Sequence, residues 1–254
     1  AEFTDGTDAV VEAPVVEEFA AEAPVEEVVD ENTSLSSVIT EGDVSVDLTA
    51  DKKSVPWSIA TDANYKVNIT GTVTKKDGSA LANGWKYRWV DENGIVLDDQ
   101  KLAGTATDVA DMGKQFGKEA AGKTLTLHVY DVDVNNQYLY DIATDIKVAV
   151  EKRELKDFTV DTSDLAYDGF AQTKGVEKVT DIVDALGGTV TDAKDYTVTL
   201  SSATKVGETI KATVTANADS AYTGTVTKDA GKISKRTYKV GDIIANTEKG
   251  QSYQ

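Results

Sequence analysis

The chain has 254 residues, of which 40% are hydrophobic and 28% charged, enough for one large domain or two small ones with their own cores. It contains no cysteine and a single histidine, His128, which excludes disulfides, cysteine nucleophiles and zinc sites built on thiolates or paired histidines. Its formal net charge of −18 excludes nucleic acid and anionic lipid as partners, because binding either requires a clustered positive surface.

The first 42 residues form an acidic, low-complexity segment. Residues 1–51 hold fifteen Asp and Glu and no Lys or Arg, and the near-repeats "EAPVVEEFA" and "EAPVEEVVD" contain two of the three prolines. This composition predicts a disordered leader or linker over 1–42. The chain begins at Ala1 without an initiator Met or a charged-then-apolar leader, which indicates a trimmed or excised piece. No apolar run approaches the roughly 18 residues that cross a bilayer, so no membrane insertion is expected.

Residues 43–151 show the alternation of a β-protein. Segments such as "VSVDLTA", "YKVNITGTVTKKDG", "WKYRWVDENG" and "KTLTLHVYDVDVNN" alternate apolar and polar residues and are broken by turn residues every ten or so positions. Period-two alternation at this spacing predicts a β-sandwich.

Three aromatic residues alternate along one predicted strand. Trp85, Tyr87 and Trp89 share one face, and Lys86 and Arg88 share the other. The interpretation we favour places the rings in the core, since exposing three large rings is costly. The alternative is an outward row of rings that stacks on sugars, with Trp85, Tyr87 and Trp89 as the binding residues.

Acidic residues near the end of this block raise the question of a calcium site. Asp131, Asp133 and Asn135 have the first spacings of an EF-hand loop, but Asn136 replaces its glycine and Ile142 its bidentate acid, so that motif fails. The favoured interpretation is a strand with acids on its solvent face. The alternative is a looser calcium site formed by Asp131, Asp133 and Asp141; no other cofactor is expected.

His128 lies in "TLTLHVYD", where Leu125, Leu127 and Val129 should face one way and His128 the other. The pattern predicts an exposed strand histidine. A serine hydrolase would have to use it, yet the sequence has no Gly-x-Ser-x-Gly elbow, so we expect no enzyme.

The same β pattern restarts after the charged stretch "EKRELKD", residues 151–157, which places a domain boundary there and a second domain at 152–236. Within it, the apolar spacing of "GVEKVTDIVDALGG" predicts a short helix over 175–188. Residues 237–254 are interpreted as a last strand with a tail or as the opening of a further module.

The stretch "LAYDGFAQT" contains Asp168-Gly169 directly after Tyr167. Asp and Gly close tight turns, so the pair predicts a bend between strands, with the Tyr167 ring packed inward. A catalytic role for Asp168 is disfavoured, because no second acid, base or nucleophile lies nearby in the sequence.

The second block resembles the bacterial immunoglobulin-like repeats of large Gram-positive cell-surface proteins. The resemblance rests on Tyr167-Asp168-Gly169, "KDYTVTL" at 194–200, "VGETIKATV" at 206–214, "YTGT" at 222–225 and "ISKR" at 233–236. The first block resembles a generic module of that type in "GWKYRWVDENG" and "GKTLTLHVYD". The acidic segment resembles the one that comes after the removed leader of such proteins.

The resemblance implies two tandem Ig-like β-sandwich domains in a secreted or cell-surface bacterial protein. Its implied function is a non-catalytic structural spacer or an adhesion module that presents a binding region. The alternatives are a carbohydrate-binding module and a protein-docking assembly module, with an extracellular protein or a glycan as partner. No oligomeric state is predicted.

Overall fold

The computed structural model describes residues 34–59, 63–101 and 114–239. The acidic segment up to residue 33 and the C-terminal segment from residue 240 lie outside the described residues. All the described residues belong to one compact unit.

The described residues form an all-β structure with three single-turn 3-10 helices and no α-helix. The strands are β1 (Leu35–Glu41), β2 (Val44–Ala50), β3 (Ser54–Pro56), β4 (Ile69–Lys75), β5 (Lys86–Val90), β6 (Val96–Lys101), β7 (Thr124–Val132), β8 (Tyr138–Glu151), β9 (Arg153–Val160), β10 (Leu165–Ala166), β11 (Val179–Asp184), β12 (Tyr196–Leu200), β13 (Thr209–Ala216), β14 (Tyr222–Thr223) and β15 (Thr225–Ser234). The 3-10 helices are Ala63–Tyr65, Lys118–Ala120 and Val176–Lys178.

Four sheets are built from these strands, two on each side of residue 152. The strand orders are β1-β2-β4 and β3-β8-β7-β5-β6 before it, and β10-β15-β13-β12 and β11-β9-β14 after it. We call the first two sheets the proximal pair and the last two the distal pair. Neighbouring strands are antiparallel except β3 with β8, β10 with β15 and β14 with β9.

Period-two alternation explains the core of the proximal pair. In β2, Val44, Val46 and Leu48 are buried, while Asp47 between them faces solvent. In β7, Leu125 and Leu127 are buried at alternate positions and belong to the same apolar cluster. Burying the apolar side of these strands in the core cluster removes this surface from water, which is the main stabilising contribution.

The predicted helix over 175–188 is wrong. A single 3-10 turn, Val176–Lys178, is followed by strand β11, which pairs antiparallel with β9. The register shifts between Thr180 and Val183, and Asp181 adopts a positive φ of 49°. This bulge brings Ile182, which is buried, to the same side as Val179, which packs against the core three residues earlier, so apolar spacing that resembles a helix is produced by an irregular strand.

The predicted leader also extends too far into the fold. Strand β1, Leu35–Glu41, lies within the range 1–42 and pairs with β2 along its whole length through the turn at Gly42. The side chain of Ser37 is buried, and its hydroxyl accepts the backbone N–H of Asp145 in β8 at 3.0 Å. The ordered chain therefore includes β1.

The boundary between the sheet pairs is a single residue. Strand β8 ends at Glu151 and β9 begins at Arg153, so only Lys152 separates them. The charged stretch 151–157, predicted to mark a boundary, is largely the first half of β9. No loop linker exists at this point of the described chain.

Candidate functional site

The three aromatic residues of the predicted row lie on the inner side of the five-stranded sheet. Trp85 and Trp89 are 1% and 0% exposed, and Tyr87 is partly buried against the same core. The Trp89 ring meets Phe116 edge to face at 5.2 Å, and Trp85 and Tyr87 lie 6.4 Å apart. The exposed row of rings that sugar binding would require is therefore absent from this strand.

The opposite face of this sheet carries a polar cluster centred on Arg88. Its Nη1 donates to the Tyr138 hydroxyl and its Nη2 to Asp141 Oδ2, both at 2.7 Å, and the guanidinium lies over the Tyr130 ring at 4.7 Å. Asp141 Oδ1 lies 3.0 Å from His128 Nδ1. His128 is thus partly buried and hydrogen-bonded, where the sequence predicted an exposed side chain.

The contacts within this cluster hold the side chain of Arg88 in place. Burial opposes the charged form of Arg88, but the Tyr138 hydrogen bond and the Asp141 charge outweigh it and raise the pKa of Arg88. The cation is thereby held between two rings and a carboxylate. The partner of His128 among the described residues is the Asp141 carboxylate, so the cluster lacks the nucleophile that acyl transfer would need.

The three acids of the calcium alternative do not form a cluster. Asp133 Oδ1 caps the β7–β8 turn by accepting the N–H groups of Asn135 and Gln137 at 2.8 and 2.9 Å. Asp141 belongs to the Arg88 cluster, and Asp131 accepts the N–H of Val132 at 2.9 Å. Among the described residues, no group of three or more acidic or histidine side chains is placed to hold a metal ion.

Asp168 turns the chain. Its Oδ1 accepts the N–H of Phe170 and a proton of the Gln172 side-chain amide, each at 2.9 Å, and Gly169 has a φ of 88°. This is an Asx-type turn, as the sequence predicted. The Tyr167 ring, however, is 40% exposed, so the inward packing predicted for it is wrong.

The most elaborate set of buried polar contacts lies where the two sheet pairs meet. Arg153, the first residue of β9, is 9% exposed. Its Nε donates to the Trp57 carbonyl at 2.9 Å, and its Nη1 lies 3.0 Å from Asp184 Oδ2. The guanidinium also stacks over the Trp57 ring at 4.2 Å. One side chain thus binds the proximal pair through Trp57 and the distal pair through Asp184.

Asp184 is held in place for this contact. Its carboxylate is fully buried, and its other oxygen, Oδ1, accepts the N–H groups of Leu186 and Gly188, both at 2.9 Å. A Cβ at position 188 would lie 2.6 Å from Asp184 Oδ2 and 2.8 Å from Arg153 Nη1. Any side chain at position 188 would therefore clash with the ion pair, and glycine avoids this clash.

Trp57 completes the buried part of the junction. Its indole Nε1 donates to the Ala221 carbonyl at 2.8 Å, and its ring meets Tyr222 edge to face at 5.5 Å. Burial raises the pKa of the Tyr222 phenol. The tryptophan is thus shared between the two sheet pairs, with an apolar ring contact and a satisfied N–H.

Two lysines add contacts at the rim of the junction. Lys118 Nζ lies 2.5 Å from Asp195 Oδ2 and 5.4 Å from the centre of the Tyr222 ring. The hydrogen bond to Asp195 raises the pKa of Lys118. Lys152 donates to the Ala218 carbonyl at 2.6 Å. We refer to Trp57, Lys118, Lys152 and Arg153 with Asp184, Asp195 and Tyr222 as the junction.

A shallow cleft of about 400 Å³ opens beside the junction. Its lining includes Trp57, Leu186, Thr189 and the Arg153–Asp184 pair. Because that pair is already neutralised and hydrogen-bonded internally, the cleft offers no unpaired charge of this pair to a ligand. The arrangement can hold the two sheet pairs together through the contacts of Arg153 and Trp57.

Sequence reasoning missed the junction. Arg153 lies in a charged stretch of the type usually found in linkers, and its partners Trp57 and Asp184 are 96 and 31 positions away. The one local signal was the strand-like pattern of "RELKDFTV" directly after β8, which leaves no room for a linker.

Comparison of the chain with family models, curated proteins and solved structures finds no match. Within the described part of the chain, no helix has the length and apolar character needed to span a membrane.

Proposed function

We propose that the chain is a non-catalytic segment of an extracellular bacterial surface protein, acting as a rigid spacer that presents a binding region away from the cell. Each sheet pair is an Ig-like β-sandwich in this proposal, the first over 35–151 and the second over 153–234. In each, a short early strand pairs parallel with the last strand, β3 with β8 and β10 with β15, while most other pairs are antiparallel.

The observation that carries the proposal is the junction. A flexible linker would let tandem domains bend, whereas Lys152 alone separates β8 from β9, and Arg153 is bonded to both sides. Arg153 is held by Asp184 within its own sheet pair while it donates to the Trp57 carbonyl and stacks on the Trp57 ring, and any other orientation of the two sheet pairs would leave this buried cation without its partners on the other side. A fixed angle between domains is what a spacer needs in order to hold its end at a distance.

The sugar-binding alternative has less support. Trp85 and Trp89 are buried, so replacing them would disrupt the core before it affected any ligand. The spacer function requires no exposed rings and no reactive group.

Rigidity is tested by ¹⁵N relaxation of the full chain. We expect amides of β2 and β7 and amides of β13 and β15 to report one overall tumbling time, because the two sandwiches move as one body. Inserting Gly-Ser-Gly-Ser between Glu151 and Lys152 should give two distinct, shorter times.

The matched control is the same insertion beside Gly78, in the exposed turn after β4. It lengthens the chain equally but leaves the junction intact, so a single tumbling time should remain. Separate tumbling of the two sandwiches in the unaltered chain would refute the spacer proposal.

A further inference from the structure

The two sandwiches carry the same sequence pattern at their far ends. Lys152-Arg153 follows the last strand of the first, and Lys235-Arg236 follows the last strand of the second. The central strands also begin alike, with "GKTL" at 122–125 in β7 and "GETI" at 207–210 in β13.

Backbone hydrogen bonds show that these positions are equivalent. The Val150 carbonyl accepts the N–H of Gly122 at 2.7 Å, and the Ile233 carbonyl accepts the N–H of Gly207 at 2.8 Å. Both glycines have positive φ, 78° and 91°. The last strands β8 and β15 are therefore joined to β7 and β13 in the same way.

The same register aligns Tyr167 with Trp57. The N–H of Trp57 donates to the Glu151 carbonyl at 3.2 Å, and that of Tyr167 donates to the Ser234 carbonyl at 2.9 Å. Glu151 and Ser234 each lie two residues before the arginine. Arg236 and Tyr167 thus occupy positions equivalent to those of Arg153 and Trp57.

The equivalent residues of the two sandwiches differ in their exposure to solvent. Trp57 is 5% exposed and Arg153 is buried, because the second sandwich packs on both. Tyr167 is 40% exposed, the nearby Phe170 is 75% exposed, and Arg236 is exposed, with its guanidinium 5.0 Å from the centre of the exposed Tyr238 ring. Exposed aromatic rings around a cation are typical of an interface.

The charges at the junction differ between the two sandwiches. At the junction, the first sandwich contributes Lys118, the connecting residue Lys152 adds a second base, and the second sandwich contributes Asp195, which Lys118 contacts, together with its own Arg153–Asp184 pair.

At its other end, the second sandwich again presents bases: Lys205, Lys235 and Arg236 are exposed. The one acid beside Lys205, Glu208, already accepts the N–H groups of Thr204 and Lys205, both at 2.8 Å. A partner with an acidic face therefore fits this end.

We propose that Tyr167, Lys205, Lys235 and Arg236, here called the terminal face, form the receiving half of a second junction whose partner is a further β-sandwich of the same kind. Arg236 stacks on Tyr167, donates through Nε to its carbonyl and pairs with an acid of the partner at the position of Asp184. This inference rests on the proposed spacer function and extends it to a longer array.

The test adds such a partner to the full chain. A second copy of residues 154–236 is inserted after Arg236, followed by the original 237–254, and trypsin cleavage after Lys235 is followed by mass spectrometry. We expect cleavage after Lys235 to slow at least about tenfold relative to the unaltered chain, since proteolysis requires local opening. Cleavage after Lys152 is the internal reference for a formed junction and should be slow in both chains.

Two variants make the test specific. Arg236→Ala should restore fast cleavage after Lys235 in the extended chain and change little in the unaltered one. Arg236→Asp combined with Asp184→Arg in the added copy should recover part of the protection, which a merely compact extension would not do.

The outcomes separate the two proposals. Fast cleavage after Lys235 with slow cleavage after Lys152 in the extended chain overturns the terminal-face inference and leaves the spacer intact. Fast cleavage at both sites overturns both. Protection of Lys235 in the unaltered chain overturns the inference too: if it grows with protein concentration, a second copy is the partner, and if it is lost on removing residues 240–254, that segment is.

Discussion

Arg153 and Tyr140 are both polar side chains in buried surroundings, but they have opposite effects. The guanidinium of Arg153 makes a hydrogen bond, an ion pair and a ring contact, so its desolvation is compensated. The hydroxyl of Tyr140 is buried and has no hydrogen-bond partner within the described residues. An unsatisfied buried hydroxyl costs stability, whereas the phenyl ring beneath it contributes through packing.

Replacing this tyrosine should therefore stabilise the protein. We expect Tyr140→Phe to raise the free energy of unfolding by roughly 1 kcal/mol at pH 7, measured by urea titration. The neighbouring Tyr138 supplies the control, because its hydroxyl accepts a hydrogen bond from Arg88 and Tyr138→Phe should lower stability. A less stable Tyr140→Phe protein would show that the buried hydroxyl carries no such cost.

The same substitution has a pH signature. Burial, with a smaller contribution from the Asp131 carboxylate, raises the pKa of Tyr140 to about 12 from its usual 10.0. A raised pKa contributes stability that is fully present below pH 10 and is lost as the pH rises towards 12. Tyr140→Phe should accordingly lose less stability than the unaltered protein between these pH values, and equal alkaline loss in both would argue against burial of the phenol.

Among the elements, β4 depends on a single glycine. Gly71 has a φ of 132°, and a Cβ there would lie 2.0 Å from the Asp47 carbonyl oxygen of the paired strand β2. We expect Gly71→Ala to cost about 3 kcal/mol or more in unfolding free energy, because both the backbone conformation and the β2–β4 ladder must give way.

Gly78, in the turn after β4, isolates the conformational part of that cost. Its φ is 84°, but a Cβ at this position would have no other atom within 4 Å, so Gly78→Ala should cost only about 1 kcal/mol. Thermal and urea unfolding of the two variants measure the difference. Equal losses would mean that the ladder tolerates the added methyl group.

At the scale of single strands and turns, the sequence correctly predicts the features that depend on local pattern. Leu125, Leu127 and Val129 are buried as their alternation indicates, and Asp168-Gly169 closes the turn that its residue types favour. The helix over 175–188 was wrong because a bulged strand can bring apolar residues to nearly helical spacing. Local alternation determines which residues of a strand face the core, whereas the bulge in β11 is set by the pairing of β11 with β9.

The junction could not be predicted in this way. Its central residue, Arg153, looks solvent-exposed from its charged neighbours, and only folding brings Trp57 and Asp184 to it. Tyr167 shows the same limit: its sequence context predicts an inward ring, but in the structure the ring is exposed, and the pattern of a single turn does not reveal this.

For the whole molecule, the junction predicts coupled unfolding of the two sheet pairs. Trp85 and Trp89 are buried in the proximal pair and Trp57 lies at the junction, so tryptophan fluorescence reports mainly on the proximal half, whereas far-ultraviolet circular dichroism reports on both halves. In the unaltered chain the two signals should change together in urea, because separating the halves exposes the Arg153–Asp184 pair and the Trp57 ring.

Removing the arginine should separate the two transitions. Arg153→Ala leaves the Asp184 carboxylate buried without its cation, which costs about 3 to 5 kcal/mol and falls mainly on the distal pair. That half should then unfold at lower urea, and the circular dichroism transition should precede the fluorescence transition.

The exposed pair Lys211–Asp229, 2.8 Å apart, supplies the control, since Lys211→Ala should change stability by less than about 1 kcal/mol and leave the signals coincident. Coincident transitions in Arg153→Ala would show that the halves are coupled by contacts other than those that Arg153 makes.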